Sequence, residues 1–101
     1  MDTKQLIIEA KARFNHNAAK AYIKDKYESK LTVADQGGLW VANPEMISFL
    51  SSSTILEIVI IDTYSNPVKV NRAALLTKLE KTYHYVMEQW QNEWAALEKK
   101  R

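Results

Sequence analysis

Residues Leu56-Glu57-Ile58-Val59-Ile60-Ile61-Asp62-Thr63-Tyr64-Ser65-Asn66-Pro67-Val68-Lys69-Val70 decide how the chain folds. Leu56 to Ile61 is dense in β-branched residues and apolar on both faces, the pattern of a strand buried between neighbours. Asp62 to Pro67 collects the residue types that reverse a chain. Val68-Lys69-Val70 returns with strict alternation, which suits a half-buried strand.

Working upstream, Leu31-Thr32-Val33-Ala34 and Leu39-Trp40-Val41-Ala42 flank Asp35-Gln36-Gly37-Gly38, where both glycines of the chain are spent. That spacing predicts a hairpin, because glycine reaches positive φ without steric cost. Asn43-Pro44 punctuates the chain, and Met46-Ile47-Ser48-Phe49-Leu50 reads either as a short strand or as a helical turn. Ser51 to Thr54 reads as a loop. Four or five short antiparallel strands within residues 31–70 predict a small curled barrel. No crossover helix fits between them, which excludes a parallel α/β sheet. The expected class is α+β with a mainly β core, a single domain over 1–101 made of helix 3–28, barrel 31–70 and helix 72–99.

Both flanks are helical in pattern. In the first, Ile7, Ala10, Phe14, Ala18, Ala21 and Tyr22 recur at three- and four-residue spacing, with a weak point near Asn15. In the second, Asn71 is a fitting N-cap, and Val70 and Leu75 occupy the positions of a hydrophobic staple. Its stripe runs Leu76, Leu79, Tyr83, Val86, Trp90, Trp94 and Leu97. Thirty helical residues span ~45 Å, against a radius of gyration of ~13 Å for a compact domain of this size. The second helix is therefore expected to overhang, leaving its aromatic end to be covered by the first helix or by another subunit. The expectation is self-association through Tyr83, Val86, Trp90, Trp94 and Leu97.

Composition sets limits. The chain has 101 residues, 47% of them hydrophobic and 26% charged, with no cysteine and a formal charge of +2. Without cysteine there is no disulfide framework, Cys-ligated metal or thiol chemistry. No run approaches the ~20 apolar residues of a membrane span. Met1-Asp2-Thr3-Lys4 leads into mixed charge rather than a secretory signal, so a cytoplasmic location is expected. Split by section, residues 1–30 carry +3, residues 31–71 carry −3 and residues 72–101 carry +2.

Catalytic signatures are missing: no HExxH, phosphate-binding loop, dinucleotide turn or nucleophile elbow occurs. Glu80, His84 and Glu88 share a helix face; a His with two carboxylates could ligate a metal, but the ordinary reading of this spacing is a solvated face with weak pairs. A non-enzymatic protein without cofactor or metal is expected. Trp40 and Tyr64, beside the two turns, are candidate stacking rings for single-stranded nucleic acid. The acidic strand section opposes phosphate, while Lys4, Lys11, Arg13, Lys20 and Lys24 form either a basic stripe or an ordinary solvated face.

A helix followed by about five short strands is the order of the Sm and Sm-like proteins. Residues 58–68 resemble that family's hydrophobic strand, Asp-to-Asn turn and returning strand. The resemblance implies an Sm-like, SH3-like barrel in a ring of subunits, with Asp62, Tyr64 and Asn66 contacting RNA bases at the inner rim. The chain is also similar to small proteins of tailed phages that infect marine cyanobacteria, which implies a phage origin and action in the host cytoplasm. Two functions follow as expectations. One is a homo-oligomeric Sm-like protein binding RNA or single-stranded nucleic acid. The other is a purely structural or protein-interaction module assembling through its C-terminal helix.

Overall fold

The computed structural model describes residues 3–99, and all side chains among them except those of Glu9, Ala10, Ala12 and Phe14. The order is α1 (Thr3–Lys30), β1 (Thr32–Asp35), β2 (Gly38–Val41), α2 (Pro44–Ser52), β3 (Glu57–Ile61), β4 (Pro67–Asn71) and α3 (Arg72–Lys99). The helices hold 28, 9 and 28 residues, while no strand exceeds five. This is a helix-rich α+β fold.

Among the described residues there is no barrel, and the core is not mainly β. β1 pairs only with β2 and β3 only with β4, in two separate antiparallel hairpins. The cause lies between them. Asn43 caps α2 by accepting from the Met46 N–H at 2.8 Å, and Pro44 supplies a preset φ in the first turn. The ambiguous Met46–Leu50 segment is therefore helix, and Leu50 anchors it in the core at full burial. A helix at this point leaves no strand to carry one hairpin's ladder into the other's. β3 is consequently a one-sided strand, not the central one its composition suggests: Val59 and Ile61 are 64% and 66% exposed.

The first hairpin turns at Gln36 (φ 50°) and Gly37 (φ 80°), two consecutive positive angles that match the twist of the flanking strands. Trp40, Ala42, Val33 and Leu31 from this hairpin pack with Leu50, Val70, Leu75 and Leu79 in one core. Asn71 caps α3 through its side-chain oxygen, which accepts from the Ala74 N–H at 3.0 Å. Val70 and Leu75 both bury across that cap, as a staple requires.

α1 and α3 lie antiparallel. Tyr27 meets Trp90, Lys26 meets Glu93, and His16 meets Glu98. The buried face of α1 is set by Ile23 and Tyr27, with His16 and Ala19 half-buried in line. The stripe predicted from sequence is turned away: Ala18, Ala21 and Tyr22 are exposed, as is Ile7, while Ala10 and Phe14 fall outside the described side chains. α1 overhangs in its turn. With His16 already beside Glu98, residues 3–15 of α1 run past Lys99 for ~20 Å at 1.5 Å per residue. The molecule measures 65 × 24 × 19 Å, with a radius of gyration of 19.4 Å.

Candidate functional site

The two hairpins grip each other at two points, using side-chain bonds and one backbone bond in place of a shared ladder. Asp62 ends the second hairpin's first strand. One of its oxygens accepts from the N–H groups of Tyr64 and Asn66, both at 3.0 Å, and the other accepts from the Leu39 N–H at 3.2 Å. Thr63 completes the grip, donating its N–H and hydroxyl to the Leu39 carbonyl at 2.9 and 2.8 Å. At the second point the amide of Gln36 holds the backbone of Asn71. It accepts from the Asn71 N–H at 2.7 Å and donates to the Asn71 carbonyl at 3.3 Å.

Between these grips lies an open depression of about 580 Å³, lined by residues 34–39 with Asp62, Tyr64 and Asn66. The structure thus brings together three of the four residues picked out for nucleic-acid contact. Their environments differ. Asp62 is buried, and its backbone donors, Asn66 foremost, hold its carboxyl below the usual range against the opposing effect of burial. Its role here is to shape the turn. Tyr64 is 72% exposed and Asn66 is exposed beside it. Trp40 is a core residue, 1% exposed, and its ring N–H donates to the Asp35 carbonyl at 2.8 Å. No face of that ring is open to a base.

Charge at the depression is acidic. Asp35 and Asp62 border it, and Lys78 neutralises only the first, at 3.6 Å. Lys4, Lys11, Arg13, Lys20 and Lys24 are all exposed, but they sit along α1. Lys24 is paired with Glu28 at 3.9 Å. No group of three or more His, Cys, Asp or Glu among the described residues is arranged to hold a metal ion. No helix among them is long and apolar enough to cross a membrane.

Of the residues expected at an oligomer interface, Trp90 and Leu97 meet α1, with Tyr27 and Ile23 beside them. Val86 is buried, Tyr83, Trp90 and Leu97 pack partly buried against the core, and Trp94 is 41% exposed. α1 covers this stripe through side chains that the helix-one pattern did not single out. The ring of Tyr27 stacks on Trp90, its hydroxyl donates to Glu93, and Lys26 pairs with Glu93 at 3.1 Å. Lys26 and Lys30 also stand 5.2 and 4.9 Å from the Tyr27 ring centre. The seam is thus formed within one chain. His16 closes its far end against Glu98 at 3.1 Å, although nothing in its sequence neighbourhood marks it for that contact. Gln36 was equally unmarked, because nothing about a glutamine before glycine announces a backbone clamp 35 residues away.

Compared with known proteins, the chain matches no protein-family model, no curated protein and no solved structure.

Proposed function

We propose that this protein is a non-enzymatic structural module that acts by self-association. The observation that carries the reading is the balance of its apolar surface. Among the described residues, eleven hydrophobic side chains are buried, while twelve large ones are exposed. The exposed set includes Leu6, Ile7 and Ile8 on the projecting part of α1, and Ile55, Leu56, Val59 and Ile61 along the β3 side of the head. Apolar surface on this scale is a mark of interaction sites rather than of finished monomers. Multi-angle light scattering across a concentration series tests it. The expected result is a mass above the 11.7 kDa of one chain, rising with concentration. A constant monomer mass into the high micromolar range refutes the proposal.

A second reading, contact with single-stranded nucleic acid, has one observation in its favour. Tyr64 and Asn66 stand exposed on the rim of one depression, a ring and an amide of the kinds that stack on and bond to bases. The carboxylates of Asp35 and Asp62 work against it. Fluorescence anisotropy with labelled poly-U at two salt concentrations decides. Binding that falls with Tyr64→Ala supports the reading, and no binding at low salt removes it.

A further inference from the structure

We infer that the free edge of β3 is where two copies of this chain join, β3 against β3, antiparallel about Val59. The inference rests on the self-association proposed above and names its surface.

The ladder fixes which backbone groups are free. In the β3–β4 register Ile58 opposes Val70 and Ile60 opposes Val68. The flanking bonds Arg72 N–H to Leu56 carbonyl and Asp62 N–H to Asn66 carbonyl continue the same register. Bonded pairs alternate along an antiparallel ladder, so the even-numbered residues of β3 face β4. Glu57, Val59 and Ile61 then direct their N–H and C=O groups to the opposite edge, where no described strand pairs with them. A bare strand edge is a template for pairing, and folded proteins usually block one with proline, charge or a covering segment.

β4 is blocked in just those ways. Of its outward-facing residues, Pro67 has no N–H, and both backbone groups of Asn71 are held by Gln36. The third, Lys69, places a charge on that edge and pairs with Glu57 at 3.4 Å. β3 has a charge only at its first residue, Glu57: the rest of its edge carries Val59 and Ile61, with Ile55 and Leu56 exposed just before it. A sheet with one open edge and one closed edge cannot propagate into a fibre. Edge-to-edge pairing closes after two copies, with two-fold symmetry.

The strand is complementary to itself. With Val59 opposite Val59, all five residues overlap and Glu57 faces Ile61 at both ends. The inward face then reads Val70, Ile58, Ile60, Val68 across the seam, four β-branched or aliphatic side chains in a row. Ile58 and Ile60 are only half-buried in the single chain, and the seam covers what remains. The two copies of Glu57 lie four residues apart along the strands, ~13 Å, beyond the reach of strong repulsion in physiological salt. A strand of any other chain would have to match this row. β3 already does.

Hydrogen exchange of the whole protein over a concentration series tests the seam together with its mass. Protection of the Glu57, Val59 and Ile61 amides should rise as dimer forms, while Ile58 and Ile60, already bonded to β4, should not change. Val59→Pro removes an edge-facing N–H and breaks no bond to β4, and Val59→Lys sets like charges opposite each other at a position that is exposed in the single chain. Each should weaken dimerisation roughly tenfold or more, with the circular dichroism spectrum retained. A double change of Leu6→Glu and Ile7→Glu on the projecting helix should leave the dimer intact. A dimer by mass whose odd-numbered β3 amides stay fast, or one lost with the helix variant and kept with Val59→Lys, overturns the seam but leaves self-association standing. A monomer at every concentration overturns both.

Discussion

The rings of Tyr27 and Trp90 stack across the two long helices, their centroids 6.2 Å apart and their planes 13° from parallel. The pair stands near the C-terminal end of α1, so it sets how that helix leaves the core. Trp90 is the larger apolar contributor. Truncating a buried aromatic costs ~3–5 kcal/mol, and a partly buried one falls toward the lower end. Trp90→Ala is expected to destabilise the fold by about 3 kcal/mol, and Trp94→Ala, with its ring more exposed, by about 1 kcal/mol. Urea denaturation followed by circular dichroism checks the order. Equal losses would mean that the two rings share the seam evenly.

The same join titrates from both sides. Hydrogen bonds from Tyr27 and then Lys26 hold the Glu93 carboxyl below its ordinary range, whereas the bond to Glu93 raises both Tyr27 and Lys26. A lowered carboxylate contributes stability above the usual carboxylate range and loses it as pH falls through the lowered value. Raised Tyr and Lys contribute below ~10 and lose stability as pH rises through their raised values. Stability should therefore be flat near neutrality and fall in acid and in strong base. Glu93→Gln keeps an acceptor for the Tyr27 hydroxyl but not the charge, so it should flatten the acid limb and remove part of the salt sensitivity. Thermal melts across pH at two salt concentrations measure both effects.

The first hairpin makes a prediction about two adjacent glycines. A Cβ on Gly38 would fall 2.5 Å from Cζ2 and 2.8 Å from Cε2 of Trp40, a ring locked in the core, while a Cβ on Gly37 meets nothing within 4 Å. Gly37 does need its positive φ of 80°. Gly37→Ala should cost ~1–2 kcal/mol, the penalty of a left-handed residue. Gly38→Ala should cost more, up to ~3 kcal/mol, because the indole must move. Chemical denaturation ranks them, and near-ultraviolet circular dichroism should report a changed Trp40 environment only for Gly38→Ala.

These residues also mark how far the sequence could be read. The Asp35–Gly38 turn, the Asn71 cap and the staple of Val70 on Leu75 are local devices, each legible within a few residues. Strand count alone points to a barrel, and that reading breaks at Asn43-Pro44, which is as good a helix start as a loop. β3 looked central because Ile58 to Ile61 are apolar on both faces. Composition does not distinguish a strand buried by its own chain from one left open to a neighbour. On α1 the alanines drew the predicted stripe to the wrong face, whereas Ile23 and Tyr27, four apart, form the buried one. The Gln36 clamp and the Tyr27–Glu93 bond link positions 35 and 66 residues apart, where no periodicity reaches. At the candidate site the turn was legible as Asp62 to Pro67, but the inward direction of Trp40 was not.

Asp62 gives the test that separates turn shape from ligand contact. Its carboxylate satisfies three backbone N–H groups, and its lowered pKa means that this stability is present above the usual carboxylate range and lost as pH falls through the lowered value. An asparagine in its place can still accept from Tyr64 and Asn66 with its carbonyl oxygen. Its amide nitrogen, however, meets the Leu39 N–H, donor against donor. Asp62→Asn should therefore lower the unfolding midpoint at neutral pH, with the gap narrowing in acid as pH falls through the lowered pKa of Asp62. Tyr64→Ala and Asn66→Ala, both at exposed positions, should leave the midpoint nearly unchanged. If Asp62→Asn is silent at neutral pH, the three bonds are not what holds the second hairpin to Leu39.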